Sequence, residues 1–189
     1  MKSVLISIQP YWVFLIIARL MGWNIPQEKT VEVRKDYPKA SDWNNVAHIY
    51  CSKNRKSFNR IPKWYQPFME KLLGKVVGEF VCDRIEQNVP DYNPVLQKFF
   101  YGYVIDLTPT CLSEENLHKY AGIEPLYFWH ISNLEIYDKP KELGEFYRWK
   151  KCDSCKMSGY EATACMYDID CKVPARITRP FQSWGYVEQ

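Results

Sequence analysis

The chain has 189 residues, of which 47% are hydrophobic, 16% aromatic and 25% charged. That is enough apolar material for one domain with a buried core, and it excludes a disordered tail. A net charge of only +3 also excludes a polycation that coats nucleic acid along its whole length, so any nucleic-acid surface must be local.

Residues Lys2 to Ile8 alternate and are rich in β-branched side chains, which predicts a strand. Pro10 then stands where the first turn of a helix tolerates it, and Tyr11 to Met21 carries apolar residues at helical spacing up to the stop at Gly22. Gln9, Pro10 and Arg19 interrupt this apolar start, and no small-residue cleavage site follows it. It therefore reads as core and not as a signal peptide or membrane span, and the expected location is the cytoplasm.

Lys29 to Lys35 alternates strictly, with Val31 and Val33 on one face and Thr30, Glu32 and Arg34 on the other. Further strands are predicted at Ala47 to Ser52, Lys75 to Ile85 and Leu134 to Ile136. Ser113 to Ala121 is a short helix with Ser113 as its N-cap and Gly122 as its stop, and Asp138 to Phe146 adds a turn of helix. Several separated strands with two or three helices give an α+β domain built on a curled sheet or small barrel.

The charged face of the Lys29 to Lys35 strand has two readings. It is either a solvated face with a surface Glu–Arg pair, or the wall of a cleft in which Lys29 acts as base or nucleophile, Glu32 relays a proton and Arg34 clamps a phosphate or carbonyl. Glu79, in a second apolar strand, and Trp129, His130, Ser132 and Asn133 could project into the same cleft. Glu79 could equally be an edge-strand charge and His130 a hydrogen-bonded structural residue. Gln182 and Trp184 alternate on a last strand and either close the cleft or complete the barrel. No Ser-His-Asp order, P-loop or dinucleotide fingerprint occurs, so ATP- and NAD-dependent chemistry is not expected.

Between Lys53 and Lys75 seven basic residues face one acidic residue, so the segment carries +6 while the rest of the chain sums to −3. Lys53, Arg55, Lys56, Arg60 and Lys63 interleave with Phe58, Trp64, Tyr65 and Phe68. That pattern suits a groove that neutralises phosphates and stacks bases, and it equally suits a solvated hairpin loop whose aromatics plug into the barrel. Cys152, Cys155, Cys165 and Cys171 have the spacing C-x2-C-x9-C-x5-C. The first pair is a metal knuckle, so the four either hold one structural zinc or remain free or redox-active thiols. Cys51, Cys82 and Cys111 read as buried or partly buried small residues.

Five stretches together resemble the ASCH family, a PUA-like group of β-barrels, in a form common among phage and prophage proteins. They are VLISIQPYWVFLI, EKTVEVRK, GKVVGEFVCDRI, WHISNLEIYDKPKELGEF and RPFQSWGYVE. The resemblance implies a small barrel with flanking helices over residues 1–150, followed over 151–189 by a Cys-rich segment and the final barrel strand. It implies a polar cleft that binds RNA or a modified nucleoside, and in some members hydrolysis of acetylcytidine or cleavage of RNA. Two departures stand out. The family's short Gly-Lys turn before the charged strand is replaced by ARLMGWNIPQ, and the threonine three residues after the lysine of the acetylcytidine hydrolases is here Glu32. A carboxylate does not take over a hydroxyl's role without new partners. Binding is therefore the leading expectation, with a nucleoside-amide hydrolase or ribonuclease using Lys29 and Glu32 as the alternative. A third reading is a phage-encoded module that engages a protein partner through its seven Trp.

Overall fold

The computed structural model describes residues 2–101, 106–151 and 172–188. Strand β1 (Lys2–Ile8) opens the chain, and its Val4, Leu5 and Ile6 are all fully buried because the sheet is covered on both faces. Pro10 starts α1 (Pro10–Ile17), which is shorter than its apolar run predicts. The chain leaves the helix after Ile17 and turns at Gly22, whose φ of 62° lies in the left-handed region. This turn returns Trp23 onto Phe14 and Tyr65, with ring centroids 5.4 and 4.7 Å apart.

Strand β2 (Val31–Arg34) is also shorter than its alternation predicts. The amides of Lys29 and Thr30 donate to the carbonyls of Leu15 and Pro109, so they are tied to α1 and a 3-10 turn, while the Thr30 carbonyl still accepts from the Ile131 amide at 2.9 Å. Strand β3 (Trp43–Cys51) pairs in parallel with β1, and β4 (Val76–Asn88) returns antiparallel to it. Between them the basic segment is not a hairpin loop. It folds into α2 (Arg55–Phe58) and α3 (Gln66–Glu70), whose Phe58 and Met69 enter the main core beneath α1.

Strand β7 (Leu126–Lys141) spans 16 residues and absorbs the short strand predicted at Leu134 to Ile136. Its pairing with β4 shifts register three times, and Asn133 takes a φ of 44° where one shift falls. Such bulges let two long strands bend around the core. At Gly78 the backbone of Glu135 comes so close that any Cβ would collide with its carbonyl. The turn of helix predicted at Asp138 to Phe146 is instead the end of β7 and a single 3-10 turn at Leu143–Glu145, closed by reciprocal Glu142 and Glu145 capping contacts.

A hairpin of β5 (Asp91–Asn93) and β6 (Lys98–Phe100) follows β4, and α4 (Glu114–Ala121) is capped by Ser113, which accepts from the Asn116 amide at 3.2 Å. Strands β8 (Tyr147–Lys151) and β9 (Lys172–Arg176) pair with each other, and β10 (Trp184–Val187) joins β1.

The main sheet therefore has the order β10-β1-β3-β4-β7-β2. It is an open sheet and not a closed barrel, because its edge strands β10 and β2 are not hydrogen-bonded to each other. It is nonetheless curled. Trp129 of β7 lies 5.8 Å from Trp184 of β10, and the largest core fills the concave side with Ile6, Ile49, Phe80 and Trp129 against Val13, Phe14 and Ile17 of α1. A second core holds Val31, Val33 and Phe128 against Leu117 of α4, and a third holds Leu5, Val76 and Phe146. Among the described residues, no helix is long and apolar enough to cross a membrane.

Candidate functional site

Alternation along β2 sends Val31 and Val33 into the second core and turns Glu32 and Arg34 the other way, toward the opening between the sheet's edges. Neither is a surface charge. Lys29, Glu32 and Arg34 are 3%, 6% and 7% exposed, which overturns the solvated-face reading of this strand. Glu32 lies between the two cations, with Oε2 3.3 Å from Lys29 Nζ and Oε1 2.9 Å from Arg34 Nη2.

Lys29 also donates to the carbonyls of Val31 at 2.7 Å and Thr110 at 2.8 Å, and lies over the Trp12 ring at 5.4 Å. Burial pulls its ammonium below the ordinary lysine range, while the Glu32 carboxylate acts in the opposite direction. Two carbonyls and a carboxylate use all three of its N–H groups, an arrangement that only the ammonium form satisfies. Arg34 donates from Nη2 to the Ser7 carbonyl at 2.7 Å and from Nη1 to Ser183 Oγ at 3.4 Å, and its buried Nε has no partner among the described residues.

The cluster forms one wall of a cleft of about 710 Å³. Trp12 of α1, Ser52 after β3, Arg60 after α2, Lys119 and Tyr120 of α4, and Gln182 ahead of β10 are among the other residues that line it. The Arg60 guanidinium stacks on Tyr11 at 3.9 Å and faces Trp12 at 5.0 Å. A buried ion triad adds little net stability over apolar side chains of the same volume, because desolvation offsets the attraction. What the triad does provide is a fixed array of charge at the cleft wall.

Of the residues singled out in the sequence, Lys29, Glu32, Arg34, Gln182 and Arg60 come together at this cleft. Others stand elsewhere. Half-buried Trp184 packs between Trp129 and Tyr186 against the main core, and the Ser132 hydroxyl donates to the Val81 carbonyl at 2.8 Å. His130 lines a separate shallow hollow of about 440 Å³ with Asp83 and Arg84, its Nε2 3.3 Å from Glu86. It points there because the bulge in β4 after Cys82 lifts Asp83 and Arg84 beside it.

Glu79 belongs to a different network. Its Oε2 lies 3.0 Å from His48 Nδ1 and accepts from the Tyr137 hydroxyl at 2.5 Å, while His48 Nε2 lies 2.9 Å from Ser3 Oγ. The connectivity is that of a serine–histidine–carboxylate relay, which chain order alone did not reveal. Ser3, however, is 7% exposed and also donates to the Val187 carbonyl, and the His48 ring lies against Phe146 at 4.9 Å. The network ties β1, β3, β4 and β7 together behind the cleft.

In the basic segment Arg55 is held by Glu70 through two bonds of 2.6 and 2.7 Å, and Lys75 pairs with Glu142. Lys53, Lys56 and Lys63 are exposed, as is Trp64 at 80%. Cys152, Cys155, Cys165 and Cys171 lie outside the described residues. Among the described residues no group of three His, Cys, Asp or Glu is placed to hold a metal.

Trp12, Lys119 and Tyr120 are cleft residues that sequence reasoning missed. A signal existed for the last two. Leu117 and Ala121 mark the buried side of α4, which leaves positions 119 and 120 on the outward side.

No family model matches this chain, and neither does any curated protein. Solved structures do. The crystal structure of ASCH from Zymomonas mobilis aligns with a TM-score of 0.50 at 17% identity, covering 100% of this chain and 89% of that one. A serine-to-alanine variant of the same protein aligns with a TM-score of 0.51 at 18% identity over the same shares. The fold is that of an ASCH domain. The likeness carries the fold and not any one residue's role.

Proposed function

We propose that this ASCH-fold protein binds RNA or a modified nucleoside in the cleft beside β2. The observation that carries the reading is the Lys29–Glu32–Arg34 cluster, buried yet facing a 710 Å³ cleft with aromatic and cationic walls. A base edge pairs donors and acceptors in one plane. Glu32 offers acceptors beside the unpartnered Arg34 Nε, while Trp12 and Tyr120 offer stacking surface.

The exposed Lys53, Lys56 and Lys63 extend the binding surface beyond Arg60 along a strand of RNA. Arg55 contributes less, because Glu70 already neutralises it. Binding is favoured over hydrolysis through Lys29. A nucleophilic or basic lysine needs a free lone pair, and this one is surrounded by three acceptors.

The deciding experiment is mass analysis of small molecules and RNA fragments that copurify with the protein, followed by titration of single-stranded RNA at several salt concentrations. Nucleoside- or RNA-derived mass that disappears in Glu32→Gln supports the reading. For RNA, affinity should fall with salt, and replacing Lys53, Lys56 and Lys63 by Gln should flatten the slope by about two units. No bound nucleoside or RNA, and no RNA affinity at low salt, would refute it.

A further inference from the structure

The charge balance of the cleft is not that of a site for a neutral nucleoside. Among the described residues, Lys29, Arg34, Arg60 and Lys119 line it against a single carboxylate, Glu32. Glu32 is already shared by Lys29 and Arg34. Among the described residues neither Arg60 nor Lys119 has a carboxylate partner, the former resting on Tyr11 and Trp12 and the latter on the outward side of α4.

Two donors in the same wall are also left over. Arg34 Nε and Ser52 Oγ are both buried and lack a hydrogen-bond partner among the described residues. A buried donor without an acceptor costs free energy that a ligand oxygen can restore. Excess cation and spare donors together call for a ligand that is anionic and rich in acceptors.

We infer that the cleft takes a phosphorylated ligand, a nucleotide unit whose phosphate is held by Arg60 and Lys119 while its base meets Glu32 and Arg34. The inference rests on the nucleoside or RNA reading above and narrows it, since an unphosphorylated nucleoside leaves the two outer cations unused. The Arg60 stack suits this role. Its aromatic support holds the guanidinium over Tyr11 and Trp12, and a planar fork so held loses little entropy on meeting a phosphate.

The test is calorimetric titration with the four common ribonucleosides, their 5′- and 3′-monophosphates, inorganic phosphate and single-stranded trinucleotides. At least one monophosphate should bind about tenfold or more tightly than its parent nucleoside, an advantage that weakens with salt. Lys119→Gln alters an exposed position, so it folds, and it should lower the preference severalfold. Arg60→Gln should lower it further, with thermal melting to verify the fold.

A trinucleotide that outbinds every mononucleotide places the phosphate within RNA, and one that does not assigns the site to free nucleotides. Both outcomes uphold the inference. Equal affinity for nucleoside and monophosphate, or a preference that survives both substitutions, overturns it while leaving the nucleoside reading in place. No binding of any nucleoside, nucleotide or trinucleotide overturns both.

Discussion

The Arg34 side chain on edge strand β2 donates to the Ser7 carbonyl on β1 at 2.7 Å, joining two strands that share no backbone pairing. Where a closed barrel would continue its ladder, this sheet has a guanidinium. The same group holds Glu32 at 2.9 Å, so the element that bridges the opening is also part of the cleft wall.

This dual role gives the triad an uneven mutational profile. Glu32→Leu leaves two buried cations without their carboxylate and should cost about 3–5 kcal/mol of stability. Glu32→Gln keeps an acceptor and should cost less, about 1–3 kcal/mol. Replacing Lys29, Glu32 and Arg34 together by Met, Leu and Met should restore most of that stability while abolishing ligand binding. Urea unfolding of the three variants checks this, and a triple variant less stable than Glu32→Leu would contradict it.

Burial holds the His48 imidazole below its ordinary value of 6.5, with the Glu79 carboxylate opposing the shift. Between the folded value and 6.5 the unfolded chain therefore carries a proton that the folded chain lacks. The stabilising contribution is full above about pH 6.5 and is lost as pH falls through that window, with a slope of at most about 1.4 kcal/mol per pH unit. Unfolding midpoints between pH 7.5 and 5 should fall in the wild type and fall less in His48→Gln. Equal slopes would remove His48 as the cause.

Cys51 and Cys82 lie within β3 and β4, and burial pushes both thiols up to about 12. With so little thiolate present, neither should react with iodoacetamide at pH 8 in the folded protein, and both should react in urea. Peptide mass spectrometry after labelling reads this directly. Rapid native labelling of either residue would show that its strand opens.

The four C-terminal cysteines at 152, 155, 165 and 171 are proposed to bind one zinc ion, on the strength of their spacing. Protein purified without chelator should contain close to one zinc per chain, and Cys152→Ser should release it. A trace of zinc together with four readily titrated thiols would assign them to free or redox chemistry.

Period-two and helical patterning in the sequence determined β1, β2, the start of α1 and α4 with its Ser113 cap and Gly122 stop, because these are local properties of side-chain spacing. They also determined that Glu32 and Arg34 share a face opposite Val31 and Val33. Only the tertiary structure decided what that face meets. Burial of a charged strand face depends on the approach of β1, α1 and the segment before β10, which are distant in sequence from β2. The same non-local packing took Glu79 out of the cleft into the His48 network, where β3 and β7 flank it, and turned His130 toward a bulge in β4. It also settled that the sheet stays open. No pattern in β2 or β10 records whether their backbones pair, since that depends on how far the bulged β4 and β7 bend, and here a single arginine spans the gap they leave.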